Sequence, residues 1–148
     1  MDYRKKGIFY LLIALLVSSL LTGCAPKNAP ADGLDGAAWS LTDAKREYPT
    51  QWPENAFTEK VTEPQSGTID YVLDSSDSGR YALFLKDISA KEGERYIQAL
   101  KDMGYTEVRS ASNQVSIGTL LDRADASLSV TCAEGVLGVL ITLKEGGH

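Results

Sequence analysis

Three hydrophobic patterns succeed one another along the chain, and each predicts a different element. The first is a continuous apolar run, Gly7 to Leu21, interrupted only by Ser18 and Ser19 and preceded by Arg4, Lys5 and Lys6. As a helix this run would span about 22 Å, short of the roughly 30 Å hydrocarbon core of a bilayer. A basic start, a short apolar middle and small residues after it read as a signal peptide rather than a permanent transmembrane helix. The second pattern has a helical period. Tyr96, Ile97, Leu100 and Met103 form one stripe, Ser89 and Glu92 have the spacing of a capping box, and Gly104 stands at the stop position. A helix is therefore predicted over 89–104. Gly93, in its first turn, is expected to cost about 0.5–1 kcal/mol relative to alanine.

The third pattern has a period of two. Ile69, Tyr71 and Leu73 alternate with Asp70 and Val72, and Arg80 to Ile88 is rich in Tyr, Leu and Phe. With the polar stretch Asp74-Ser75-Ser76-Asp77-Ser78-Gly79 between them, the two segments predict a hairpin. Tyr105 to Ser110 and Val115 to Arg123 predict two more strands, the latter weakened by Gly118. Leu128, Val130 and Cys132 alternate with Ser127, Ser129 and Thr131; Ala133-Glu134-Gly135 turns the chain, and Leu137, Val139, Ile141 and Leu143 share one face on the way back. That is a second hairpin. The expected fold is α+β: an antiparallel sheet of about five to six strands in the order ββαββββ, one face packed on the helix at 89–104.

The segments outside these patterns set the domain limits. Ala25 to Ala38 has Leu34 as its only large apolar side chain, too little to fold, and as a flexible coil would span on the order of 20 Å. From Trp39 the chain is aromatic and punctuated by Pro49, Pro53 and Pro64. Ser40 to Tyr48 is read as a short helix, and Trp52-Pro53-Glu54-Asn55 as an irregular arm, because proline removes a backbone donor and restricts the residue before it. The expected organisation is a signal peptide over 1–23, a tether over 24–38 and one globular domain over 39–145.

Charge and cysteine content change the picture in one respect, the mode of membrane attachment. The chain of 148 residues carries a net charge of −5. Loss of residues 1–23 takes away three basic residues and one acidic residue, leaving 12 Lys and Arg against 19 Asp and Glu, a net of −7. Such a surface disfavours nucleic acid and direct adsorption to anionic headgroups. The apolar run, however, ends in Leu21-Thr22-Gly23-Cys24, which resembles the lipobox of bacterial lipoproteins. The resemblance implies diacylglycerol transfer to the Cys24 thiol, cleavage between Gly23 and Cys24 by the lipoprotein signal peptidase, and display at the extracytoplasmic face of the cell membrane. More than one acyl chain is needed for stable anchoring. Cys132, the only other cysteine, is then left without a disulfide partner and reads as a small buried hydrophobe.

Over residues 52–143 the succession Trp52-Pro53-Glu54-Asn55, Gly67-Thr68-Ile69, Tyr96-Ile97-Gln98-Ala99-Leu100-Lys101-Asp102-Met103-Gly104-Tyr105 and the final hairpin is similar to small lipoproteins of Gram-positive bacteria with a single domain of unknown function. Tyr105 stands where Phe is commoner. The resemblance implies an α+β domain outside the cytoplasmic membrane and supplies no catalytic residues.

Candidate chemistry is sparse. The single histidine, His148, ends a glycine-rich tail, and no HExxH, CxxC, GxGxxG or GxxxxGK[ST] motif occurs, so no catalytic, cofactor-binding or metal-ligating residue is assigned. The Asp74–Gly79 stretch resembles a calcium loop only at its start, since Leu85 occupies the twelfth position where a bidentate Glu is needed. Asp122 with Asp125, and Glu92 with Glu94, are the carboxylate pairs an acid–base enzyme would use. Trp39 and Trp52 are the candidate partner surface. The leading expectation is a non-enzymatic binding module for an unknown protein or small molecule. A carboxylate-using envelope enzyme or inhibitor and a passive structural lipoprotein are the alternatives.

Overall fold

A computed structural model describes Leu41 and residues 43–113 and 116–144. The chain divides into two units, Met1–Asp32 and Gly33–His148, and every described residue belongs to the second. The expected signal peptide and tether lie outside the described residues. The described elements are β1 (Lys45–Glu47), β2 (Thr68–Ser75), β3 (Arg80–Lys86), α1 (Ala90–Asp102), β4 (Thr106–Ser112), β5 (Ser116–Asp122), β6 (Ala126–Ala133) and β7 (Val136–Leu143). All seven strands join one antiparallel sheet in the order β1-β2-β3-β7-β6-β5-β4. The chain thus leaves β3 through α1 for the far edge, and β5, β6 and β7 return strand by strand to fill the gap beside β3. The fold is α+β, with α1 lying across β5 and β6.

The sheet has seven strands rather than the expected five to six, because Lys45–Glu47 is a strand where a short helix was expected over 40–48. Lys45, Arg46 and Glu47 pair with Asp74, Leu73 and Val72, and the Arg46 guanidinium sits 4.2 Å over the Tyr71 ring. Pro49 follows closely, and a helix this short has no tertiary stripe to offset its nucleation cost.

A second correction concerns β2. Ile69, Tyr71 and Leu73 do not share a face, because a bulge shifts the register between Ile69 and Tyr71. Ile69 and Val72 turn to the α1 side, opposite Leu85 and Leu83, whereas Tyr71 and Leu73 turn to the other face opposite Phe84 and Ala82. An inserted residue inverts the alternation beyond it.

The remaining elements follow their patterns closely. The Ser89 hydroxyl accepts from the Glu92 N–H, and the Glu92 carboxylate accepts from the Ser89 N–H at 2.9 Å, completing the capping box. Gly104 ends the helix with a φ of +97°, in the left-handed region glycine enters without cost. Tyr96, Ile97 and Leu100 are buried against Leu121, Leu128, Val130, Leu137, Val139 and Ile141, each large aliphatic contributing about 1.5–3 kcal/mol by burial.

Gly93 has a positive role in this packing. A Cβ built on it would lie 1.9 Å from the Cys132 sulfur and 2.9 Å from the Cys132 Cβ. The bare glycine lets α1 settle onto β6, where the Cys132 thiol donates to the Ala90 carbonyl at 3.5 Å. Cys132 is 1% exposed, and burial pushes its thiol pKa up.

The face away from α1 is divided. On β2, β3 and β7 it carries an apolar cluster of Ala82, Phe84 and Leu140 with Tyr71, Leu73 and Leu41 packed on it, and Tyr71 stacks on Phe84 at 4.4 Å. On β6 the same face presents Ser127, Ser129 and Thr131, which are half-buried.

Candidate functional site

Of the residues singled out in the sequence, Gly23, Cys24, Trp39 and His148 lie outside the described residues. Trp52 is described: it is half-buried and packs on the main core from the segment between β1 and β2. This segment is irregular because Pro49, Pro53 and Pro64 interrupt it, yet it is firmly held. The Asn55 side-chain oxygen accepts from the N–H groups of Phe57 and Thr58, both at 3.0 Å. The buried Thr58 hydroxyl donates to the Asn55 carbonyl at 3.1 Å and faces the Asn55 N–H at 3.0 Å. These bonds nucleate a 3-10 turn over Thr58–Lys60 and drive Phe57 onto Tyr81, ring centroids 5.5 Å apart.

Two tyrosines then pin the arm down. The Tyr96 hydroxyl donates to the Thr62 carbonyl and the Tyr105 hydroxyl to the Lys60 carbonyl, each at 2.9 Å. Burial raises both hydroxyl pKa values, so both stay protonated donors over the physiological range. Sequence reasoning placed Tyr96 in the helical stripe but missed this second function. A tyrosine on an apolar face can bury its ring and still need a partner for its hydroxyl.

Pinning Lys60 and Thr62 leaves the loop Thr62–Ser66 standing between two clefts. One, of about 360 Å³, lies against α1 and is lined by Thr62–Ser66 with Glu92, Arg95, Tyr96 and Ala99. Its Glu92 carboxylate is engaged by the Ser89 N–H, by the Ser89 hydroxyl and by Ser66, which hold its pKa below the ordinary value. The other, of about 210 Å³, lies between the arm and the start of β2. Its walls are Pro49, Trp52, Pro64, Ile69 and Leu85, with Thr50, Gln51, Glu63 and Thr68 as polar lining. Gly67 at its rim has a φ of +87°, and a Cβ there would meet the Lys86 carbonyl at 3.0 Å and the Ile88 Cβ at 3.2 Å.

The carboxylates that sequence spacing could have paired have other partners. Asp122 accepts from Lys144 and from the Ser127 hydroxyl at 2.7 Å, and these bonds lower its pKa. Asp125 is gripped by Arg123 at 2.7 Å and Lys60 at 3.1 Å, which hold it well below the usual carboxylate range. Arg123 in turn lies 4.4 Å over the Tyr105 ring and donates to the Met103 carbonyl at 3.3 Å. This cluster fastens the β5–β6 turn to the arm and the end of α1. In the Asp74–Gly79 turn the Asp74 carboxylate accepts from the Ser76 N–H at 2.8 Å, and Gly79 closes the turn with a φ of +66°. Among the described residues no group of three or more His, Cys, Asp and Glu is placed to hold a metal ion, and no helix is long and apolar enough to cross a membrane. No family model matches the chain, and no match was found among curated proteins or solved structures.

Proposed function

We propose that the protein is a lipoprotein anchored by diacylglycerol on Cys24 at the extracytoplasmic face of the cell membrane, and that its C-terminal domain is a non-enzymatic binding module. The observation that carries the anchoring is the order of the first 24 residues: three cations, an apolar run too short to span a bilayer, then Leu21-Thr22-Gly23-Cys24. Small residues before the cysteine give a peptidase access to the backbone, and the thiol takes the lipid. The binding part is supported by the cleft beside Trp52, by the cleft between the loop Thr62–Ser66 and α1, and by the engagement of Asp122 and Asp125 with cations, carboxylates a rival enzymatic reading would need.

Metabolic labelling with a radioactive or clickable palmitate in a Gram-positive host tests the anchor. The full chain should incorporate label and shorten on maturation, and Cys24→Ala should accumulate as an unlabelled precursor. Normal maturation of Cys24→Ala would refute the assignment.

A further inference from the structure

We infer that the cleft between α1 and the loop Thr62–Ser66 binds a small zwitterion of the α-amino acid class, its carboxylate on Arg95 and its ammonium on Glu63. The inference rests on the reading of the domain as a binding module and names the ligand chemistry. Three features meet in this cleft. The first is a receptacle built before any ligand arrives. Glu92, Arg95, Tyr96 and Ala99 recur at helical spacing along one face of α1, and with the loop they enclose about 360 Å³, within the roughly 300–1,000 Å³ typical of small-molecule sites. The loop is tied near both of its ends, where the Tyr96 hydroxyl donates to the Thr62 carbonyl at 2.9 Å and Ser66 bonds to the Glu92 side chain. Walls held in this way need less ordering when a ligand binds.

The second feature is a pair of opposite charges. Glu63 comes from the loop and Arg95 from the helix, and neither makes a hydrogen bond or ion pair with another described residue. Glu92, the third charged group of the cleft, is engaged by the Ser89 N–H at 2.9 Å, by the Ser89 hydroxyl at 2.7 Å and by Ser66. Arg95 acts on Glu92 only through its field, so its fork of donors stays open to a carboxylate. A simple anion would meet Glu63 and Glu92, and a simple cation would meet Arg95. A ligand carrying both signs satisfies the two walls at once and is selected over either ion. The third feature is apolar lining from Pro64, Ala99 and Tyr96, whose hydroxyl is spent on Thr62. This surface suits a ligand with an aliphatic body. Glu63 and Pro64 also border the cleft beside Trp52, so the loop serves as the wall between the two.

The test titrates the full chain in deuterated detergent with L-leucine and reads saturation-transfer NMR. N-acetyl-leucine, which lacks the ammonium, and leucinamide, which lacks the carboxylate, are titrated in parallel. Saturable leucine binding is expected, weakened about tenfold or more in each analogue and in each of Arg95→Gln and Glu63→Gln. The variants also assign the charges: Arg95→Gln should bind leucine and leucinamide alike, and Glu63→Gln should bind leucine and N-acetyl-leucine alike. The two analogues keep the measurement decisive even if a variant misfolds, because they leave the protein untouched. Leucine binding that ignores both analogues and both substitutions overturns the zwitterion site but leaves a binding module. An absence of binding at millimolar leucine overturns the inference; the binding-module reading falls with it only if crosslinking in intact cells also recovers no partner, and the Cys24 anchor is tested separately by lipid labelling.

Discussion

Two contacts on the same side of the sheet differ in how completely they are filled. Where α1 meets β6 the approach is so close that Gly93 has no room for a methyl group beside the Cys132 sulfur. Where the arm meets β2, a cavity of about 210 Å³ remains between Trp52 and Ile69. A helix with a continuous apolar stripe seats itself closely along that stripe, and the openings beside α1 lie along its flanks, one of about 360 Å³ against the loop Thr62–Ser66 and one of about 200 Å³ toward β4 and β5. An arm broken by prolines cannot follow the sheet surface so closely, and it is held at points instead, by the Asn55–Thr58 bonds and the two tyrosine hydroxyls. Close packing marks the part of the molecule that specifies the fold, and the gap marks where the arm is held only at points.

The two regions should respond differently to substitution. The largest effect is expected in the filled region: Leu128→Ala or Leu100→Ala, both fully buried, should cost about 2–5 kcal/mol in chemical denaturation. A loss below 1 kcal/mol would mean that this core is looser than described. Gly93→Ala comes next. The methyl group favours a helix by about 1 kcal/mol, but overpacking against Cys132 should reverse the sign and leave a net loss of about 1–3 kcal/mol. Cys132→Ala should relieve part of that loss in the double variant, and simple additivity of the two substitutions would argue against the contact.

In the open region Tyr96→Phe removes the bond to Thr62 with the ring still in place. We expect a loss of about 1 kcal/mol, together with faster proteolysis within Thr62–Ser66; an unchanged cleavage rate would show that the hydroxyl does not hold the loop. The smallest effect is the pH dependence. Glu92, Asp122 and Asp125 are all held below their ordinary values of 4.5 and 3.8. Their stabilisation is therefore fully present above the unfolded-state values and is lost as pH falls through the lower folded-state values. The melting temperature should be steady from pH 7 to about 5 and fall below about 4, with a shallower fall in Asp125→Asn. An identical acid profile in that variant would remove Asp125 as a contributor.

How much could be read from the sequence follows the same division. The helix with its capping box, the stop at Gly104 and the last hairpin were legible, because in each a local signal and the buried face agree. Lys45–Glu47 was not legible as a strand, since three residues carry no period and their strand character comes from β2. The bulge at Asp70 was hidden for a related reason: Ile69, Tyr71 and Leu73 alternate perfectly in sequence, and only pairing with β3 reveals the shift. Gly93 looked like a weakness because its neighbour, Cys132, is distant in the chain. At the candidate site Trp52 was picked out by type and by the prolines around it. The cleft itself depends on Pro64, Ile69 and Leu85, which only the fold brings to Trp52, and on hydroxyl bonds from Tyr96 and Tyr105 that no spacing announces.

Hydrogen–deuterium exchange on the full chain in detergent tests the contrast most directly. The account predicts that α1 and β6 are strongly protected and that the amides of the loop Thr62–Ser66, held at the Tyr96 and Tyr105 hydroxyl bonds, exchange faster. Thr62–Ser66 amides as slow as those of β6 would contradict it.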